Sequence, residues 1–164
     1  MAKLNMQEII DILRDQKMTI SFMESCTGGG YANAFTNIPG SSDVFAFGAV
    51  TYANSFKIKL GVSPKTIQKY TVYSLEVAKE MALNIALYAD SDYGLGITGQ
   101  LKKPDKKNLV DNDDEVYVAF YDRKKDKFLT LKLQVTSNKR ETNKKIVIDK
   151  TTKMLKEYLT SCKH

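Results

Sequence analysis

Thr19-Ile20-Ser21-Phe22-Met23-Glu24-Ser25-Cys26-Thr27-Gly28-Gly29-Gly30-Tyr31 is the stretch whose reading decides the fold. Its first half is short and largely apolar, as a buried strand is. Its second half is small and glycine-rich, and a helical stretch over 31–37 follows until Pro39-Gly40 stops it. Strand, tight turn and helix in that order open an α/β unit. Upstream, Met6, Ile9, Ile10 and Leu13 share one face of a helix, and Asn5 with Glu8 has the spacing of a capping box at its start.

Working outward, 46–52 reads as a second strand and 54–60 as a short helix stopped by Gly61. Ser63-Pro64 places an N-cap before a proline at the first helical position. Ser74 is a second N-cap, ahead of a helix with Val77, Met81, Ile85 and Tyr88 near one face. Residues 93–98 alternate as a strand does, with Tyr93, Leu95 and Ile97 on one side. Residues 115–122 and 128–135 flank the polar turn Arg123-Lys124-Lys125-Asp126-Lys127 as a hairpin. A long last helix carries Ile148, Leu155 and Leu159 inward. This order predicts one α/β domain over residues 1–164, a three-layer α/β/α sandwich whose mixed sheet includes a C-terminal antiparallel hairpin. Ligands of such folds gather at the carboxyl ends of the strands. The loop after the first strand, the segment after Tyr52 and the loop after Thr98 are expected there together.

Composition narrows the chemistry. The chain has 164 residues, 43% apolar and 27% charged, the profile of a globular domain with a full core. Its net charge of +6 comes from lysines spread along the chain, which read as solvated surface. Aromatic and basic residues are not interleaved as in a nucleic-acid motif, so nucleic acid is not an expected partner. No apolar run is long enough to span a membrane, and the N-terminus has no signal-peptide core, so a cytoplasmic protein is expected. Cys26 and Cys162 belong to no spaced Cys/His group, which argues against zinc and against a disulfide framework. The acidic run Asp111-Asn112-Asp113-Asp114-Glu115 lacks the glycine and the terminal spacing of a calcium loop. Neither a metal nor a cofactor is expected. The single histidine, His164, is the last residue, so Ser-His-Asp and Cys-His triads are excluded.

The loop at residues 24–30 remains the most informative segment. Ser25, Cys26 and Thr27 are three candidate nucleophiles or hydrogen-bond donors. Glycines allow close backbone approach, and N–H groups at a helix start suit a phosphate or an oxyanion. A glycine-rich turn of small packed residues would carry the same pattern. The Lys-Ser/Thr ending of a nucleotide-triphosphate loop is missing. With no histidine, a base for serine has to come from elsewhere, and lysine serves when burial or neighbouring charge favours its neutral form.

Several ordered motifs resemble the CinA C-terminal domain family over nearly the whole chain. Glu24-Ser25-Cys26-Thr27-Gly28-Gly29 is similar to its signature loop. Pro39-Gly40-Ser41-Ser42 with Val44-Phe45 resembles the next motif. Val50-Thr51-Tyr52, Asn54 and Lys57 follow the family's V-T-Y-x-N-x-x-K. Gly61-Val62-Ser63, the helix around Val77-Ala78-Met81-Ala82, the start of a T-G loop at Ile97-Thr98-Gly99, and Arg140 before the last helix follow in register. Enzymatic members hydrolyse the carboxamide of nicotinamide mononucleotide to nicotinate mononucleotide and ammonia. The resemblance implies Ser25 as nucleophile and Lys57 with Tyr52 as proton-transfer partner. It implies Thr27, Gly28, Gly29, Thr98 and Gly99 as pocket residues and Arg140 as a ligand of the substrate phosphate. It also implies a pyridine-nucleotide substrate and a homo-oligomer. Read without the family, Lys57 is an exposed helix lysine, Tyr52 a core residue and Arg140 a solvated residue at a helix start. The chain departs from the family's glycine-rich continuation after Gly99, where Gln100-Leu101-Lys102-Lys103-Pro104-Asp105-Lys106-Lys107 stands instead. A divergent, catalytically inactive ligand-binding protein is therefore the alternative. The chain is too short for the N-terminal domain of the larger family proteins, so the pyrophosphatase activity linked to that domain is not expected.

Overall fold

β1 (Ile20–Glu24) is buried at every position, which is why it does not alternate with polar residues. The computed structural model describes residues 2–102 and 113–162. β1 lies second in a five-stranded sheet of order β2-β1-β3-β4-β5. β2 (Phe45–Val50) and β3 (Tyr93–Gly99) run parallel to it on either side. β4 (Glu115–Asp122) and β5 (Lys127–Gln134) complete the sheet as the antiparallel hairpin. The sheet is mixed, as the sequence predicts. Residues 103–112, which include Lys103, the Lys106-Lys107 pair and the start of the acidic run, lie outside the described residues.

Helices cover both faces. α1 (Ala2–Gln16), α2 (Gly30–Thr36) and α6 (Arg140–Ser161) enclose the larger core. Phe22 sits at its centre, with its ring centroid 5.0 Å from Tyr31, 5.1 Å from Phe35 and 4.8 Å from Phe45. Aromatic pairs at these distances add to the gain from area burial. On the opposite face, the alternate residue Met23 packs with Val77, Met81 and Ile85 of α5 (Leu75–Ala89). α3 (Asn54–Lys59) and α4 (Pro64–Tyr70) lie on that side, between β2 and α5. Among the described residues no helix is long and apolar enough to cross a membrane.

α5 approaches β3 unusually closely, because small residues meet there. A Cβ on Gly94 would fall on the Ala82 carbonyl oxygen, and one on Gly96 on the Ala78 carbonyl oxygen. Ala78, Ala82 and Ala86 are themselves fully buried. This seam seats the centre of the sheet against α5 and so places the carboxyl end of β3.

Two local expectations are corrected. α1 begins at Ala2, so Asn5 and Glu8 lie inside the helix and form no capping box. Glu8 pairs instead with Lys156 of α6 at 3.2 Å, because α1 docks along α6 through its apolar face. Ser63 is the N-cap of α4 with Pro64 at its start, as expected, but its side chain makes no capping hydrogen bond; its N–H donates to Glu80 Oε1 at 2.8 Å. Ser74, in contrast, accepts the Val77 N–H at 3.2 Å and caps α5. Tyr88, expected on the inner face of α5, is 65% exposed and meets Phe47 of β2 at a ring distance of 5.4 Å. It lies in the last turn of α5, where the helix has passed the edge of the core.

Gly96→Ala puts a methyl group into backbone. It is expected to destabilise the fold by about 1–3 kcal/mol, read as a lower urea midpoint at unchanged slope.

Candidate active site

Ser25 is the first residue beyond β1, and its N–H donates to the Ile97 carbonyl at 2.9 Å. The Thr51 N–H donates to the Glu24 carbonyl at 2.8 Å. These two bonds hold the ends of β1, β2 and β3 side by side, so the loop starts from a fixed point. The chain then enters α3, which turns Lys57 back beneath the loop. Lys57 is 1% exposed and Ser25 8%. Lys57 Nζ lies 3.0 Å from Ser25 Oγ, 2.7 Å from the Thr51 carbonyl and 3.4 Å from the Tyr52 carbonyl. A neutral amine has two N–H groups and one lone pair. The two carbonyls can take the N–H groups, which leaves the lone pair for the serine hydroxyl proton.

Glu24 organises the loop itself. Its Oε1 accepts the Thr27 hydroxyl at 2.6 Å and the Tyr31 N–H at 2.8 Å, and its Oε2 accepts the Ala32 N–H at 3.0 Å. The buried carboxylate thus occupies the first turn of α2, where unsatisfied N–H groups would otherwise stand. This corrects the expectation that N–H groups of the helix start hold an oxyanion. The Gly30 N–H is also taken, by the Thr27 carbonyl. Within the loop, the N–H groups of Cys26, Thr27 and Gly29 donate to no protein acceptor among the described residues. Gly28 and Gly29 have φ of 61° and 92°, the left-handed region that glycine enters without steric cost.

Cys26 sits beside Ser25 but faces the core at 4% exposure. Burial, helped by the Glu24 charge, pushes its thiol up to about 12. Cys26 packs in surroundings that disfavour the thiolate a cysteine nucleophile needs.

The remaining predicted residues fall into two groups. Thr27 turns its hydroxyl into Glu24 and offers only backbone to the site. Thr98 is buried and donates to the Val72 carbonyl at 2.9 Å, bracing the segment before α5. A Cβ on Gly99 would lie 2.5 Å from the Glu115 carbonyl oxygen, so Gly99 serves the close pairing of β3 with β4. Tyr52 is 62% exposed and touches Lys57 through its carbonyl, while its hydroxyl lies 3.4 Å from Arg140 Nη2. Arg140 opens α6, so the last helix reaches the site from the far end of the chain. Asn143 holds that start in place: buried, it accepts the Ser137 N–H at 3.0 Å and donates to the Ser137 carbonyl at 2.8 Å.

Two features were missed in the sequence reading. Lys144 Nζ lies 3.5 Å from where a Cβ of Gly28 would stand. Its signal was its place four residues after Arg140, on the same helical face. Thr51 Oγ1 and both polar atoms of the Gln100 amide are buried without a hydrogen-bond partner, and nothing in the local sequence marks them.

Comparison with known proteins shows the family and the fold. A family model described as CinA C-terminal domain matches residues 3–159. A relative from Alkaliphilus oremlandii, named as competence-damage inducible, is 49% identical over 98 residues, 58% of this chain and 24% of its own length. A CinA-like protein of Endomicrobium trichonymphae is 47% identical over 89 residues, 54% of this chain and 21% of its own length. The chain thus spans about a quarter of the length of these curated relatives. The competence/damage inducible protein CihA from Agrobacterium tumefaciens superposes with a TM-score of 0.86 at 26% identity, covering 97% of this chain and 95% of that one. A CinA superfamily protein from Klebsiella pneumoniae shares the fold at a TM-score of 0.89 and 20% identity, covering 98% of this chain and 99% of that one. With the family model matched from residue 3 to residue 159, the chain belongs to the CinA C-terminal domain family.

Proposed function

We propose that the protein is a serine amidohydrolase that converts the carboxamide of nicotinamide mononucleotide to a carboxylate, releasing ammonia. The observation that carries this reading is the buried contact of Lys57 Nζ with Ser25 Oγ at 3.0 Å, in a chain whose single histidine is terminal. A lysine on a short helix has little reason to be buried against a serine unless the pair is used. Burial also disfavours a charged amine, which is the condition a base needs.

The chemistry follows from the contacts. Neutral Lys57 takes the Ser25 proton as Oγ attacks the carboxamide carbon. The oxygen of the tetrahedral intermediate takes its hydrogen bonds from loop amides, for which the Cys26 and Thr27 N–H groups are the candidates. The Lys57 ammonium returns the proton to the amide nitrogen, the C–N bond breaks and ammonia leaves. Water, deprotonated by Lys57, then cleaves the ester on Ser25 and yields the carboxylate. The exposed Tyr52 ring and Arg140 are the side chains that would meet the rest of the substrate. This reading also places the protein in the cytoplasm, with the pyridine-nucleotide pool.

Self-association belongs to the same reading. β2 is an edge strand, and Phe47, Val50 and Tyr88 around it are 37%, 53% and 65% exposed. An unpaired edge flanked by apolar side chains is a template for pairing with a second copy.

Purified protein is expected to release ammonia from nicotinamide mononucleotide, and Ser25→Ala to lower the rate by about 10⁴-fold or more. No release by the intact protein, with the nucleotide still bound in a calorimetric titration, would favour the ligand-binding alternative. Lys57→Arg keeps the positive charge but removes the base, since guanidinium is not deprotonated. Its rate is expected to fall as far as that of Lys57→Met, with thermal melts checking that both variants fold. An arginine variant retaining a large share of the rate would mean that Lys57 acts only as a charge. In sedimentation velocity, the wild type is expected to run as an oligomer and Phe47→Asp as a monomer; an unchanged oligomer would exclude the β2 edge.

A further inference from the structure

We propose that Lys144 is the residue by which the site selects a phosphorylated substrate, acting with Arg140 as a two-cation cradle for the 5′-phosphate. The inference rests on the pyridine-nucleotide reading above and adds a residue that the sequence motifs do not mark.

Lys144 is half-buried on α6, one helical turn after Arg140. Its ammonium stands over Gly28, 3.5 Å from where a Cβ of that glycine would be. Gly28 belongs to the loop that carries Ser25, and the Gly28 N–H donates to the Ser25 carbonyl at 2.9 Å. The ammonium therefore stands beside the nucleophile loop. Arg140 reaches the opposite wall, the Tyr52 hydroxyl, at 3.4 Å. Among the described residues neither cation forms a salt bridge.

Like charges four residues apart on a helix repel each other. A pair of cations on the face turned to the site favours an anion that lies between them. The two side chains divide the task by chemistry. Guanidinium offers a planar fork to two phosphate oxygens, and ammonium a compact point charge to the third. Lys57 cannot share this role, because its Nζ is committed to Ser25 and the strand-end carbonyls. The empty left-handed corner at Gly28 leaves the ammonium free to approach, whereas a side chain there would fill the space beneath it.

The test compares nicotinamide mononucleotide with nicotinamide riboside, its unphosphorylated form, on wild type, Lys144→Met and Lys144→Arg. Methionine keeps the apolar stem and removes the charge. For Lys144→Met, KM for the nucleotide is expected to rise about tenfold or more, as for loss of a charge-assisted hydrogen bond. The kcat and the constants for the riboside should stay near wild type, and Lys144→Arg should restore the nucleotide KM. An equal change for both substrates, or none, would overturn the role. Titration calorimetry with nicotinate mononucleotide and its riboside repeats the comparison without turnover. Binding that prefers phosphate and depends on Lys144, with no ammonia released, would sink the amidase reading and keep this one. Ammonia release indifferent to Lys144 would do the reverse.

Discussion

The Glu24 carboxylate is the contact on which the rest of the site depends. It is 1% exposed and takes three donors, a hydroxyl and two helix N–H groups, all from the segment that follows it. A buried carboxylate is tolerated when its oxygens are satisfied, and here that demand fixes the path of the chain between β1 and α2. The loop is drawn tight around the carboxylate, and Gly28 and Gly29 supply the left-handed turn that such a path requires. Ser25 is thereby presented at the top of the sheet, with its own N–H tied to β3.

A second level of organisation comes from the sheet. Parallel pairing of β2, β1 and β3 brings three carboxyl ends to one edge, and the hydrogen bonds at Ser25 and Thr51 continue the pairing just past the strands. Lys57 enters from the β2 side and is buried by its two carbonyl contacts as much as by the serine. The α5 seam against Gly94 and Gly96 supports the same edge from below. Thr98 and Gly99, which resemble pocket residues by motif, serve this support: one braces the approach to α5 and the other admits β4. α6 then closes the site from the other face, tied to α2 by the contact between Tyr31 and Thr152 at 3.1 Å.

Electrostatics divides the loop's potential nucleophiles. Ser25 and Cys26 are neighbours, yet only the serine meets the lysine. The thiol points into apolar surroundings where burial and the Glu24 charge both oppose its ionisation. Lys57 reaches the loop from α3, while Arg140 and Lys144 stand beside it on α6.

The α/β order, the apolar helix and strand faces, the Ser74 cap and the C-terminal hairpin were legible in the sequence alone, because period and turn chemistry are local properties. The glycine-rich loop was legible too, since few residue types enter left-handed turns. The burial of Lys57 was not: on a six-residue helix rich in lysine it reads as surface, and only the return of α3 toward the strand ends buries it. The false capping box at Asn5 and the outward turn of Tyr88 were settled by where α1 and α5 dock, which no local spacing records. The meeting of Gly28 with Lys144 joins the first loop to the last helix. Such contacts belong to the tertiary structure, because side chains distant along the chain become neighbours only when the sheet and its two helical layers have packed.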